Sequence, residues 1–160
     1  MDTSRHSEGS VVIRRATPND VEALKAFVKM VIDEVYVYLW AIPSLAGHRS
    51  AISNRIDSED WTQAWVAFDD DVLMGTVRTS EEWLEDLWVL DKYRGRGVGR
   101  QLLLRGEAEI RERGYKTSRL RVVKANESAV EFYKRMGWHE VKEFPYQDLP
   151  PIAMLELSKT

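Results

Sequence analysis

Residues 93–100 read Tyr93-Arg94-Gly95-Arg96-Gly97-Val98-Gly99-Arg100, and this stretch decides the fold. It follows an apolar, aromatic segment, Trp83–Leu90, that is typical of a β-strand. After it, apolar residues recur at helical spacing until Gly114, which is a typical helix end. The stretch is therefore predicted to be a glycine-rich turn that joins a strand to a helix. The apolar face of that helix consists of Val98, Leu102, Leu103 and Ile110.

The composition of this turn predicts a phosphate ligand. The first N–H groups of a helix lack intrahelical partners, and the helix dipole places about half a positive charge there. Three alternate glycines remove Cβ atoms, so that successive amides can converge on a pyrophosphate, and three arginines add charge at its rim. These residues are Gly95, Gly97, Gly99, Arg94, Arg96 and Arg100.

Other glycine-rich motifs fit this turn less well. A Walker A loop requires Gly-Lys-Ser/Thr, whereas Gly99 is followed by Arg100 and Gln101. The dinucleotide fingerprint requires a different glycine spacing, and RGG-type segments are disordered repeats. A plain strand-to-helix turn with solvated arginines stays open as an alternative.

The elements before the turn follow from local patterns. Thr17-Pro18-Asn19-Asp20 has a capping residue and an N-terminal proline, so a helix is predicted from there to roughly Ala41. A loop and a short helix are expected over Pro43–Asp60. Two apolar runs around Asp69–Asp71 then predict a hairpin. The runs are Trp65–Phe68 and Val72–Val77.

The elements after the helix complete an α+β pattern. A strand is predicted at Leu120–Val123, a helix at Ser128–Met136, and two further strands at Trp138–Phe144 and Ala153–Leu157. This order predicts a single layered domain over residues 11–160, with a mixed, mostly antiparallel sheet of about six or seven strands and helices on both faces. Residues 1–10 are small and polar, and we expect them to be a disordered tail.

The composition excludes several classes of protein. The chain has 160 residues, no cysteine, three separated histidines and a formal charge of −3. We therefore expect no metal site and no nucleic-acid binding, which needs a basic surface. No segment has the roughly 20 apolar residues of a membrane span, so no membrane association is expected. A cytoplasmic location is the resulting expectation.

Two motifs resemble those of the GCN5-related N-acetyltransferase (GNAT) family. Leu87–Gly99 is similar to motif A, with its preceding strand, arginine and spaced glycines. Asn126–Trp138 is similar to motif B, Asn-x-x-Ala-x-x-Phe-Tyr followed by glycine and an aromatic residue. The order of elements from Val11 to Leu157 also matches. In addition, Trp83–Val89 resembles spermidine/spermine N-acetyltransferase-like members.

The resemblance implies acetyl-CoA as co-substrate. By similarity, free backbone groups of Leu87, Trp88 and Val89 pair with its pantetheine arm, and Gly95–Arg100, Val98 included, hold its pyrophosphate. A bulge that frees ladder groups agrees with this role. Asn126 contacts the cofactor arm by the same similarity, and it is equally well explained as a helix N-cap.

Tyr133 is the candidate general acid for the thiolate that leaves the thioester. A phenol, with a reference pKa of about 10, is close enough to a thiol, at about 8.5, to protonate it. The alternative is a core tyrosine beside Phe132 and Met136.

Glu85 is the candidate base that removes a proton from the attacking amine, directly or through water. Strand alternation places Glu85 and Asp86 on opposite faces, although a bulge would exchange them. A solvated acidic strand end is the alternative, and proximity with water could serve without a dedicated base.

The acceptor is expected to be a small-molecule or peptide amine, most simply a small cationic one held by acidic and aromatic groups. Candidate lining residues are Asp33, Glu34, Tyr36, Tyr38, Trp40 and Trp61. An acyl-CoA-binding sensor with little turnover is the alternative function. An exposed edge strand would give a route to a homodimer, and the oligomeric state is left open.

Overall fold

A computed structural model of the chain describes residues 11–37, 46–93, 95–146 and 149–160. Seven strands form one sheet in the order β1-β2-β3-β4-β5-β7-β6, and β4 runs parallel to β5. The predicted α+β class and mixed sheet are therefore confirmed. The strands are β1 (Val11–Arg15), β2 (Trp65–Asp69), β3 (Val72–Ser80), β4 (Trp83–Val89), β5 (Ser118–Val123), β6 (His139–Tyr146) and β7 (Leu149–Lys159).

The α-helices of the described residues are α1 (Val21–Val35), α2 (Ala46–Ser58), α3 (Val98–Glu112) and α4 (Glu127–Arg135). Helix α3 buries its predicted face, since its four apolar positions are each 1% exposed or less. Helix α2 is longer than the short helix expected there. None of the helices in the described ranges has the length and apolar content that a membrane span requires.

Helix α1 begins as predicted and ends earlier than predicted. A 3-10 turn, Pro18–Asp20, precedes it, and the Thr17 N–H donates to Asp20 Oδ2 at 2.7 Å. The helix ends at Val35, where β-branched and aromatic residues with low helix propensity follow one another. The predicted helix to Ala41 is therefore interrupted at Tyr36, the C-cap of α1, and its part from residue 38 onward lies outside the described residues.

Asp20 anchors this helix start through an ion pair. Its carboxylate accepts hydrogen bonds from Arg14 at 2.7 and 3.2 Å. The Arg14 guanidinium, and then the Thr17 N–H, hold the pKa of Asp20 well below its usual range. Because the folded-state pKa is lowered, the stabilisation is present above the unfolded pKa of about 4 and is lost as the pH falls below it.

We expect Asp20→Ala to lower the free energy of unfolding by about 1 kcal/mol at neutral pH, because a capping group is lost. The difference from the wild type should shrink progressively below about pH 4. Urea unfolding across this pH range measures it. Glu22→Ala, which removes an exposed acid in the first turn of α1, is the control with little expected change. A difference that does not depend on pH would contradict the ionic origin.

The chain divides into two compact units that alternate along the sequence. The first contains the described residues up to Arg78 together with Asp86–Leu103, and the second contains Thr79–Glu85 and Leu104–Thr160. In the first unit, the predicted inner face of α1 packs in a core with strand β2. That core includes Leu24, Phe27, Val28, Val31, Ile32, Ile56, Trp61 and Val66.

The core of the second unit is built on its strands. Leu120 and Val122 of β5 and Leu155 and Leu157 of β7 are buried, each 7% exposed or less. Cross-strand pairing sets Leu120 opposite Leu157 and Val122 opposite Leu155, so the buried side chains share one face.

Candidate active site

The glycine-rich turn lies in the first unit, between β4 and α3. Gly95 and Gly97 have φ angles of +80° and +79°, a region that other residues adopt only with strain. Gly97 C=O accepts the Gln101 N–H at 3.0 Å, so α3 starts directly after it. Gly99 differs from the other two glycines because it lies inside the first turn of α3.

Among the described residues, open space lies beside Gly95 and Gly97. A Cβ atom added at Gly95 would meet nothing within 4 Å, and one at Gly97 would meet only Gln101 Nε2, at 4.0 Å. Val98 is buried and anchors the helix, whereas Gly95–Gly97 are exposed. The helix start therefore presents its first amides beside an unobstructed backbone, which suits a phosphate group.

The predicted arginines differ in their surroundings. Arg100 is exposed. Arg96 approaches Asp69 at 3.7 Å and lies over the Tyr93 ring at 5.3 Å, so its charge is partly balanced by an acid. Arg94 lies outside the described residues.

Strand β4 supplies the segment predicted to bind the pantetheine arm. Its parallel pairing with β5 covers Trp83 and Leu84, and β4 continues to Val89. The half-buried residues Leu87–Val89 thus extend beyond the part of β4 that pairs with β5. On β3, a Cβ atom at Gly75 would lie 2.9 Å from Trp88 O, so this glycine allows a close approach to β4 that the sequence reasoning missed.

Asp86 is the centre of a buried charge network in the first unit. Asp86 is 2% exposed, and its carboxylate accepts hydrogen bonds from Arg78 Nε at 3.0 Å and Trp88 Nε1 at 2.9 Å. Arg78 also approaches Glu59 Oε2 at 3.2 Å. Sequence reasoning missed this network. A signal for it was the alternation that places Asp86 and Trp88 on one face of β4, which the hydrogen bond between them supports.

Glu85 contrasts with its neighbour because its side chain is exposed. It belongs to the second unit, at the end of the part of β4 that pairs with β5. An exposed carboxylate can exchange protons with water, as a base acting through water requires.

Tyr133 lies on the inner face of α4 and is 7% exposed. Its ring meets the edge of Trp138, with centroids 6.0 Å apart, and tilts against Phe132 at 5.5 Å. The surroundings of the ring are therefore those of the core tyrosine expected as the alternative to an acid role. Met136, the other expected neighbour, is the C-cap of α4.

Asn126 is the N-cap residue of α4. Its backbone carbonyl accepts the Val130 N–H at 3.1 Å, and its side-chain Oδ1 accepts a hydrogen bond from Ser128 Oγ at 3.4 Å. The backbone of Asn126 therefore agrees with the interpretation of this residue as an N-cap. The side chain does not cap the helix by bonding its backbone amides.

The predicted acceptor residues differ in their surroundings. Tyr36 packs edge-on against Trp88, with ring centroids 6.3 Å apart. Asp33 is bound by Arg49 at 2.7 Å in a surface ion pair, and Glu34 is exposed. Trp61 is a core residue, 1% exposed, whose Nε1 donates to the Ile56 carbonyl. Tyr38 and Trp40 lie outside the described residues.

Comparisons with known proteins agree on one family. The model of the acetyltransferase (GNAT) family matches residues 32–138. Apo YjaB from Escherichia coli has a similar solution structure, with a TM-score of 0.73, 25% identity and coverage of 94% of this chain and 97% of that one. PaiA N-acetyltransferase from Thermoplasma acidophilum, solved with coenzyme A, shares the fold, with a TM-score of 0.69, 20% identity and 94% and 99% coverage.

A curated relative matches a shorter region. Thialysine N-epsilon-acetyltransferase from Sus scrofa is 33% identical over 61 residues, or 38% of this chain. The chain thus spans about a third of that protein's length, 36% by alignment.

The chain belongs to the GNAT family of acetyltransferases. Its enzymes use acetyl-CoA as co-substrate, and the open, amide-lined start of α3 fits the diphosphate of that molecule. The resemblance identified from motifs A and B is confirmed.

Proposed function

We propose that this chain is an N-acetyltransferase that transfers an acetyl group from acetyl-CoA to a primary amine by direct attack on the thioester. The observation that carries the proposal is the turn before α3, where Gly95 and Gly97 adopt positive φ and leave the helix amides accessible. Family membership over residues 32–138 supports the same chemistry.

The proposed roles divide binding from proton transfer. The amides of Gly95–Arg100, with the side chains of Arg94, Arg96 and Arg100, hold the diphosphate, and backbone groups of Leu87–Val89 hold the pantetheine amides. Asn126 contacts the same arm.

Proton transfer accompanies the exchange of two bonds. The amine nitrogen forms a bond to the acetyl carbon, and the carbon–sulfur bond breaks. Glu85 takes the proton lost by the amine, directly or through water, and the phenol of Tyr133 donates a proton to the departing thiolate. The exposed carboxylate of Glu85 supports its role.

The proposed acceptor is a small cationic amine. The partial match to a thialysine acetyltransferase and the resemblance of Trp83–Val89 to spermidine/spermine acetyltransferases support this class. The exposed acids Glu34 and Glu85 suit it, whereas Asp33 and Asp86 are already held by arginines. Cation recognition by Asp33 and Asp86 is therefore less favoured.

The test is a thiol-release assay with acetyl-CoA and a panel of amines. The panel contains spermidine, thialysine, an aminoglycoside, free amino acids and a peptide with a free N-terminus. We expect release to depend on an amine and to be fastest with spermidine or thialysine. Tight binding of acetyl-CoA without release for any amine would favour an acyl-CoA sensor instead.

Gly97→Ala should raise the KM for acetyl-CoA about tenfold, because a side chain at positive φ costs about 1–2 kcal/mol in the conformation that presents the amides. The kcat at saturating acetyl-CoA should change little. Steady-state kinetics with varied acetyl-CoA measure both quantities.

Gly114→Ala is the matched control for backbone strain. Gly114 has a φ of +100° and open space around it, and it follows α3 instead of preceding it. It should lower stability in the same way while leaving the KM unchanged. Equal KM changes in both variants would contradict a cofactor role for the turn.

A further inference from the structure

Glu107 is a buried acid in the second unit that the proposed chemistry does not use. It lies on α3 and is 2% exposed. Its Oε1 accepts a hydrogen bond from Lys159 Nζ at 2.8 Å, and its Oε2 accepts one from Trp138 Nε1 at 3.3 Å. Buried ion pairs seldom add net stability, because desolvation offsets their attraction. A purely stabilising role is therefore a poor account of this residue.

Trp138 connects this acid to Tyr133. The indole is 1% exposed, and its ring meets Tyr133 at a 62° interplanar angle. The Trp138 backbone N–H donates to the Tyr133 carbonyl at 3.0 Å. Trp138 is thus fixed through its backbone N–H by Tyr133 and through its indole Nε1 by Glu107.

Lys159 is held in place by the same turn of chain. Gly137 has a φ of +96°, and a Cβ atom there would lie 3.4 Å from Lys159 Cε. The lysine side chain therefore passes directly beside Gly137 on its way to Glu107. With Oε1 bound by Lys159, the second carboxylate oxygen of Glu107 is directed at the indole.

We propose that Glu107 is a positioning residue for Tyr133, acting through Trp138. The inference rests on the proposed function, in which the Tyr133 phenol is the general acid. The Trp138 indole packs against the Tyr133 ring, so an indole that is released from Glu107 lets the tyrosine ring shift. A proton donor must stay within hydrogen-bond reach of its target, and a displacement of about 1 Å can cost up to a hundredfold in rate.

The first test replaces the charge and keeps the shape. Glu107→Gln should lower kcat about tenfold and leave the KM for acetyl-CoA unchanged, because only the general acid, the Tyr133 phenol, is displaced. Glu109→Gln is the matched control. Glu109 lies on the same helix, is 6% exposed, and accepts hydrogen bonds from Arg113 and Thr79. Its replacement should reduce the melting temperature and leave kcat unchanged.

The deciding measurement combines Glu107→Gln with Tyr133→Phe. If Glu107 acts through Tyr133, Glu107→Gln has no further effect on kcat once the phenol is gone. A kcat loss of the same size in both backgrounds, or no loss in the wild-type background, overturns the positioning role. An unchanged kcat in Tyr133→Phe alone overturns instead the general-acid role in the proposed function.

Trp138→Phe provides the same test if Glu107→Gln does not fold. Phenylalanine keeps an aromatic edge against Tyr133 and removes the N–H that Glu107 accepts. We expect a kcat loss that again disappears in the Tyr133→Phe background. A loss that persists there would overturn the proposal.

Discussion

Tyr133→Phe should lower kcat about a hundredfold and change the affinity for acetyl-CoA by less than about twofold. Phenylalanine keeps the ring that packs against Phe132 and Trp138 and removes only the hydroxyl group. The loss therefore reports proton donation to the leaving thiolate and not a change in packing. Steady-state kinetics and equilibrium binding of acetyl-CoA measure the two effects.

Tyr115→Phe is the control for this substitution. Tyr115 follows α3 and is 37% exposed, so loss of its phenol should leave kcat and KM unchanged. If Tyr133→Phe turned over its best acceptor at the wild-type rate, Tyr133 would be a packing residue and the acid role would be wrong.

Arg78→Met should produce the largest loss of stability, about 3 kcal/mol, because it removes the nearer cation from the buried Asp86 carboxylate and leaves only Arg55, at 3.9 Å. The melting temperature should fall by roughly 6–12 °C, as expected for a domain of this size. Thermal unfolding followed by circular dichroism measures the change. Asp86 also accepts the hydrogen bond from the Trp88 indole, so loss of the Arg78–Asp86 pair leaves the partner of that indole less firmly held.

Two further variants separate charge from packing. The double variant Arg78→Met with Asp86→Asn should recover part of the lost stability, because no unpaired buried charge remains. Arg49→Met breaks a two-bonded pair with Asp33 at the surface and should cost little. An Arg78→Met variant as stable as Arg49→Met would contradict the importance of burial.

The predictable part of the fold rests on periodicity and turn chemistry. The hairpin of β2 and β3 was predicted from two apolar runs around an acidic turn, and Asp70 there has a φ of +53°, which aspartate tolerates better than most residues. Helix α3 followed from apolar spacing after the glycine turn. Both signals are local, so a single sequence carries them.

The missed features depend on strand register and on tertiary contacts. Arg78 meets Asp86 across two strands, and no local pattern states which residues of β3 and β4 face each other. Glu107 and Trp138 are 31 positions apart and meet only when α3 packs. At the candidate site, the position of the glycine-rich turn was predicted from the sequence. The ion pair between Arg96 and Asp69, which partly balances the charge of the arginine, was not predicted.

The alternation of the two compact units along the chain limits how the protein can be divided. The chain passes from one unit to the other within β3, within β4 and within α3. Every cut at a unit boundary would therefore break a strand or a helix. Neither unit corresponds to a contiguous fragment that could be expressed alone, so split-protein or domain-transplant designs should cut in a loop such as the one between β5 and α4.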